Sequence, residues 1–134
     1  MTTVIPDTRP VSLDPARVSR LARELGKVVG EARVLSRPGE LHVYNSDGLP
    51  GYDRRPALAV FPGTREELIE VVKILAADGA PFVPRGAGTG LSGGALADGV
   101  VLVGLNRLTR ILALDPVNAF AVVEPGIVNM HLTR

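Results

Sequence analysis

The sequence predicts an α+β domain, in which a β-α-β unit with an N-terminal helix is followed by further strands in a mixed sheet. Apolar runs at residues 57–61 and 82–84 flank a helical pattern with apolar residues at 68, 71, 72 and 75. Thr64 and Glu67 form a capping box before this pattern, and Gly79 follows its end. Because such crossovers are right-handed, we expect the two strands to be parallel.

A second helix is predicted nearer the N-terminus. Asp14 is a typical N-cap, Pro15 suits the first helical position, and Gly30 is a plausible stop. The apolar residues between them fall at helical spacing: Val18, Leu21, Leu25 and Val28. Residues 31–56 show no sustained period and are predicted to form a long ordered loop. We therefore divide the chain into an N-terminal arm, helix and loop (1–56) and a second part (57–134).

Three further strands are predicted in that second part. The apolar run at 100–105 does not alternate with polar residues, which is typical of a strand buried on both faces. Residues 111–114 and 119–123 flank a turn at 115–118 and indicate a hairpin. The step Glu124-Pro125-Gly126 ends the last strand.

A glycine-rich stretch at residues 84–94, PRGAGTGLSGG, is the strongest functional signal. Five of its eleven residues are glycine, which exceeds the need of a tight connection between strands. Backbone N–H groups in such loops form nests that bind phosphate without a lysine. Arg85 adds a positive charge, with a salt bridge to a carboxylate as the equal alternative, while Thr89 and Ser92 add hydroxyl donors.

Two familiar nucleotide motifs are excluded. Residues 88–93 spell GxGxxG, but the dinucleotide fingerprint requires a helix to begin at once, and the next apolar run leaves no room for one. A Walker A loop is also absent, since no GK[ST] closes the stretch. The prediction is therefore a glycine-rich turn between two strands.

The remaining polar residues indicate no catalytic group. His42, Tyr44 and Asp47 lie in the predicted loop without a spaced metal-ligating partner, which favours a structural role. Asp115 and Glu124 lack the paired acid that general acid–base catalysis uses. His131 has no partner nearby in the sequence.

Composition limits the partners. The net charge is +1 without a basic patch, which argues against nucleic acid. The chain has no cysteine, no signal peptide pattern and no apolar run long enough for a transmembrane segment. We therefore expect a cytoplasmic location.

The stretch at 84–94, with the helix before it and the strand after it, resembles the pyrophosphate loop of FAD-linked oxidases. The family is the vanillyl-alcohol oxidase / p-cresol methylhydroxylase superfamily, and residues 34–128 are similar to the glycolate oxidase FAD subunit and D-lactate dehydrogenases. The resemblance implies a PCMH-type FAD-binding subdomain with FAD as cofactor. The residues it assigns to FAD are Pro84, Arg85, Gly86, Ala87, Gly88, Thr89, Gly90, Leu91, Ser92, Gly93, Gly94 and Gly126. For Gly126, an ordinary strand-ending turn is an equal alternative.

The resemblance covers only the first half of a flavin domain. We therefore expect the FAD-binding N-terminal portion of a 2-hydroxy-acid oxidoreductase of the glycolate or D-lactate type, not catalytic alone, with the remaining flavoenzyme segment or subunits as partners. Two alternatives stay open: a non-enzymatic nucleotide- or phosphate-binding module, and a ligand-free truncated product that self-associates through an exposed sheet edge.

Overall fold

The computed structural model describes residues 12–48 and 51–132. Helices and strands alternate in the first part of the chain, and a hairpin follows. The helices are α1 (Pro15–Val29), α2 (Pro38–Leu41) and α3 (Arg65–Asp78). The strands are β1 (Val34–Leu35), β2 (Leu58–Val60), β3 (Phe82–Arg85), β4 (Val101–Gly104), β5 (Ile111–Asp115) and β6 (Phe120–Val123). Short 3-10 helices cover Glu31–Arg33, His42–Tyr44 and Asn129–His131.

The main sheet has four strands in the order β1-β2-β4-β3. Strand β4 pairs in parallel with both β2 and β3, and β1 pairs antiparallel with β2. The predicted parallel direction of β2 and β3 is confirmed, although β4 lies between them. All four residues of β4 are buried, as the absence of alternation predicted.

Helices α1 and α3 cover one face of this sheet. Asp14 caps α1 by accepting a hydrogen bond from the Arg17 N–H, and Gly30 follows its end with a φ of 88°. Thr64 caps α3, and Gly79 ends it in the left-handed region. The buried residues of both helices pack with alternate residues of β2 and β4, as the apolar periodicity predicted. These residues are Leu21, Leu25, Val29, Val71, Leu75, Leu58, Val60, Val101 and Val103.

Ion pairs join the elements at the edge of this core. Asp78, at the end of α3, accepts from Arg17 Nε at 2.6 Å and Arg20 Nη2 at 2.7 Å, both on α1. Glu67 accepts both ends of the Arg33 guanidinium at 2.8 and 2.9 Å and the Gly63 N–H at 2.7 Å. The predicted capping box is therefore extended into a link between α3 and the segment before β1.

The prediction of a continuous loop at residues 31–56 is wrong in its first half. That segment contains β1, α2 and two 3-10 helices. Its α2 packs on the second face of the sheet, where Leu41 is buried with Ala59, Phe61, Ala97 and Leu102. These elements are each too short for a period to show in the sequence. The division of the chain at residue 56 stays a prediction, although α1 and β1 share the core with the later strands.

Strands β5 and β6 form a separate antiparallel hairpin, as predicted. Its turn is held by Asp115, which accepts from the Asn118 N–H at 3.0 Å and from Asn118 Nδ2 at 2.7 Å. Among the described residues, no helix has both the length and the apolar character that a membrane crossing requires.

Candidate functional site

The candidate site lies where three parallel strands end. Because β2, β3 and β4 run in the same direction, their carboxyl ends lie along one edge of the sheet, where open α/β sheets commonly bind ligands. A cleft of about 220 Å³ opens at this edge. Its lining consists of Val43, Tyr44, Phe61, Arg85, Gly86, Ala87, Leu102, Gly104 and Asn106.

The glycine-rich stretch leaves β3 at this edge and forms an irregular loop. No helix follows it before β4, as predicted, so the fingerprint geometry of a dinucleotide-binding fold is excluded. Gly88 and Gly93 both have a φ of 72°, in the left-handed region that favours glycine. Every backbone N–H of residues 86–94 is free of hydrogen bonds to the described part of the chain. These N–H groups are therefore available to a ligand.

Pro84 lies within β3, where its missing N–H costs little because β3 is an edge strand. Gly86 and Ala87 line the cleft and are exposed at its mouth. Thr89, Gly90, Leu91, Ser92 and Gly94 are exposed, with Leu91 70% accessible. The structure thus brings Arg85, Gly86 and Ala87 into the cleft and leaves the loop tip in solvent.

Arg85 lies beneath this loop and is only 9% exposed. Its guanidinium is so close to Gly88 that a Cβ there would lie 2.2 Å from Arg85 Nη2. The ring of Tyr44 faces it at 5.9 Å, and Ala95 O lies 3.5 Å from Nη1. Among the described carboxylates, none forms an ion pair with Arg85. The salt-bridge alternative is therefore not found in the described part of the chain.

Gly126 packs against the turn that follows β4. A Cβ on it would lie 2.3 Å from Leu105 O and 2.8 Å from Leu108 O, so no larger residue fits. Pro125 O lies 4.0 Å from the position of a Cβ on Gly86, at the start of the glycine-rich loop. The close approach to residues 105 and 108 accounts for a glycine at 126, and a contact with a cofactor stays a prediction.

The other polar candidates make structural contacts. Glu124 is 7% exposed and binds Arg110 through Nε at 2.9 Å and Nη2 at 2.8 Å. The hydrogen bond from the Arg110 side chain, followed by that from its N–H, lowers the pKa of Glu124 despite its burial. Hydrogen bonds from Asn118 likewise lower the pKa of Asp115. The described residues include no cluster of three or more side chains that could hold a metal ion.

Two neighbours of the loop were not predicted as site residues. Tyr44, for which a structural role was favoured, lies against Arg85, and Gly48 touches the loop backbone at Thr89 and Gly90. Both precede Arg85 by more than thirty positions in the sequence. No local pattern signals these contacts, because they arise only when the chain folds.

Comparison with known proteins shows the family. Residues 56–134 match the family described as FAD binding domain. The glycolate oxidase subunit GlcD of Escherichia coli (strain K12) is 40% identical over 103 residues, which cover 75% of this chain and 20% of that protein. D-2-hydroxyglutarate dehydrogenase of Stutzerimonas stutzeri is 32% identical over 122 residues, covering 90% of this chain and 25% of the relative.

A solved structure shows the same fold. Substrate-bound p-cresol methylhydroxylase aligns with a TM-score of 0.70 at 23% identity, covering 86% of this chain and 23% of that one. The predicted PCMH-type fold is thereby confirmed. The chain spans about a quarter or less of the length of these curated relatives.

The residues at the candidate site are chemically compatible with FAD. A buried guanidinium and a row of unbonded N–H groups are donors to an anion, and FAD carries a pyrophosphate. By the family match, the chain belongs to the FAD binding domain family of flavin-dependent oxidoreductases related to glycolate oxidase and D-2-hydroxyglutarate dehydrogenase, and its cofactor is FAD.

Proposed function

We propose that the loop at residues 84–94 holds the pyrophosphate of FAD. The observation that carries this proposal is the buried guanidinium of Arg85 beneath a loop whose backbone N–H groups have no described acceptor. The pyrophosphate is the anionic part of FAD. It is therefore the part that these donors would select.

Electrostatics supports the same assignment. Burying a charged group is costly unless it gains a partner, and the described carboxylates supply none to Arg85. Hydrogen bonds between a guanidinium and a phosphate are short and strong, and an N–H nest adds further donors around the same oxygens. A bound pyrophosphate would accept hydrogen bonds from both the Arg85 guanidinium and the backbone N–H groups of the loop.

The assignments within the loop follow from position. Gly86 and Ala87 line the cleft beside Arg85 and would donate their N–H groups to the phosphates. Gly88 has a positive φ, and a Cβ on it would displace the Arg85 guanidinium, so a glycine at this position lets the loop lie against that side chain. Thr89 and the end of the loop at Ser92, Gly93 and Gly94 would wrap the pyrophosphate and part of the ribityl chain, and Gly126 would lie near the flavin.

For the whole flavoprotein we propose the oxidation of a 2-hydroxy acid. The support is the similarity to a glycolate oxidase subunit and a D-2-hydroxyglutarate dehydrogenase, both of which extend well beyond the matched region. FAD supplies the redox chemistry in such a reaction, while the protein binds and orients it. In this proposal, the part of the chain that the structure describes would bind the cofactor. A partner polypeptide, self-association and a cytoplasmic location stay predictions.

The proposed site is tested by titrating FAD into the purified chain, with retention of the visible flavin band after desalting as a second readout. Gly88→Ala should weaken binding at least tenfold, because the new Cβ would meet the Arg85 guanidinium and strain the backbone. Gly39→Ala is the matched control, since a Cβ there meets nothing within 4 Å and the φ is ordinary. Equal affinities for the three proteins would contradict the proposal.

A competition experiment identifies the part of FAD that is bound. ADP should displace FAD, because it carries two linked phosphates, whereas adenosine and riboflavin, which carry none, should not. Displacement by riboflavin but not by ADP would place the contact at the flavin ring instead of the phosphates.

A further inference from the structure

The segment from His42 to Gly48 lies before the region that matches the FAD binding domain family, which begins at residue 56. It nevertheless reaches the glycine-rich loop at two places. Tyr44 faces the Arg85 guanidinium, and Gly48 touches the backbone of Thr89 and Gly90. Val43 and Tyr44 also line the cleft at the carboxyl ends of the strands, together with Arg85, Gly86 and Ala87.

Tyr44 also contacts a second aromatic residue, Phe61. Its ring packs on Phe61, with the ring centres 5.3 Å apart and the planes tilted by 43°. Phe61 in turn lies across Gly104, where a Cβ would come within 2.3 Å of its ring. Tyr44 therefore packs on residues at the ends of β2 and β4 and also faces the guanidinium.

The contact with the Tyr44 ring favours one orientation of the Arg85 guanidinium. A guanidinium within about 6 Å of an aromatic ring is attracted to its face. The Arg85 guanidinium contacts the Tyr44 ring and also lies against Gly88. The aromatic ring offers the buried cation a favourable contact without neutralising its charge, so the charge stays available to an anion.

The second contact acts on the loop backbone itself. A Cβ on Gly48 would lie 2.7 Å from Thr89 O and 2.9 Å from Gly90 O. Since Thr89 directly follows Gly88, a side chain at position 48 would displace the loop backbone next to the residue that lies against Arg85. Asn45 anchors the segment, because its carbonyl accepts from the Arg54 N–H at 2.8 Å and its side chain is 5% exposed.

From these contacts we propose that residues 42–48 are part of the cofactor site, with Tyr44 and Gly48 as positioning residues. Tyr44 orients Arg85, and Gly48 seats the loop. This inference rests on the proposed function of the loop, and neither residue is required to touch FAD.

The test compares FAD affinity and the melting temperature of the free protein for Gly88→Ala and four further variants. Tyr44→Leu removes the ring and should weaken FAD binding about tenfold, while Tyr44→Phe keeps the ring and should bind within about twofold of the wild type. Gly48→Ala should weaken binding by at least tenfold because of its clash with Thr89 O. Gly39→Ala should match the wild type.

Tyr44→Phe separates the role of the ring from that of the hydroxyl, and a wild-type melting temperature for Tyr44→Leu separates the positioning of Arg85 from packing. If Tyr44→Phe binds as weakly as Tyr44→Leu, the role of the ring is overturned. If Tyr44→Leu and Gly48→Ala bind FAD as tightly as the wild type while Gly88→Ala is impaired, the inference fails and the proposed function stands. If the wild type does not bind FAD, or Gly88→Ala binds it normally, the proposed function itself fails. Should Tyr44→Leu not fold, Gly48→Ala still tests the inference, because wild-type FAD affinity in that variant would overturn it.

Discussion

The four-stranded sheet and the β5–β6 hairpin are built from the same residue types but differ in what covers them. In the sheet, Leu102 and Val103 of β4 are shielded from solvent, because α1 and α3 pack on one face and Leu41, Phe61 and Ala97 on the other. In the hairpin, Leu114 is 57% and Phe120 51% exposed. The two ends of the hairpin are held together by the Arg110–Glu124 ion pair and by the hydrogen bond from the Glu124 N–H to Arg110 O.

The contrast shows that an apolar strand enters a core only where other elements cover it. The gap between the hairpin and the start of α3, about 420 Å³ and lined by Leu68 and Leu112 among others, leaves the hairpin without such cover. A two-stranded hairpin alone is marginally stable in water. Stability in the described chain should therefore reside in the sheet and its helices.

The largest effect is expected from a truncation in the sheet region. Leu75→Ala should lower the free energy of unfolding by about 2–5 kcal/mol, because Leu75 is fully buried between α3 and the sheet. Leu114→Ala is the matched control in the hairpin and should change it by less than about 0.5 kcal/mol. Urea unfolding measures both. Comparable losses for the two variants would show that the hairpin is buried in solution.

A smaller effect is expected on the stability of the fold at acidic pH. Hydrogen bonding from Arg17, and then from Arg20, lowers the pKa of Asp78 below its usual value of 3.8, although burial acts in the opposite direction. A carboxyl whose pKa is lower in the folded state stabilises the fold above its unfolded pKa and loses that contribution as pH falls through the folded value. Stability should therefore decline from about pH 5 downward.

Replacing Asp78 or Glu124 by its amide shows which carboxylate causes the loss of stability at low pH. Asp78→Asn should be less stable at neutral pH and should show a flatter stability profile between about pH 5 and pH 2. Glu124→Gln should instead speed amide hydrogen exchange in β5 and β6 and leave global unfolding nearly unchanged, since Glu124 holds the hairpin. Profiles of Asp78→Asn and wild type that run parallel in pH would contradict this assignment.

The local part of the fold could be predicted from the sequence. Asp14, Thr64 and Gly79 are capping residues, and the apolar period between caps marks α1 and α3. The insertion of β4 between β2 and β3 was not predicted, because strand order depends on contacts between segments far apart in the chain. Strand β1 was missed because its two residues, Val34 and Leu35, are too few to show a period.

The candidate site was likewise only partly predictable from the sequence. Its glycine-rich loop was evident from composition, since so many glycines exceed the need of a connection. The environment of Arg85 was not, because its lack of an ion pair with any described carboxylate and its contact with Tyr44 are tertiary facts. The sequence therefore predicts the hydrogen-bond donors of the loop. The contacts of these donors with Tyr44 and Gly48 become visible only in the folded chain.

The measurement that tests the central claim most directly is the phosphorus NMR spectrum of FAD bound to the purified chain and to Arg85→Met. Methionine keeps an apolar stem of similar reach and removes the charge. Both phosphate resonances should shift on binding to the wild type, and the shift should shrink in Arg85→Met together with a roughly 10- to 100-fold loss of affinity. Phosphate resonances that stay at their free positions while the flavin is bound would contradict the assignment of the loop to the pyrophosphate.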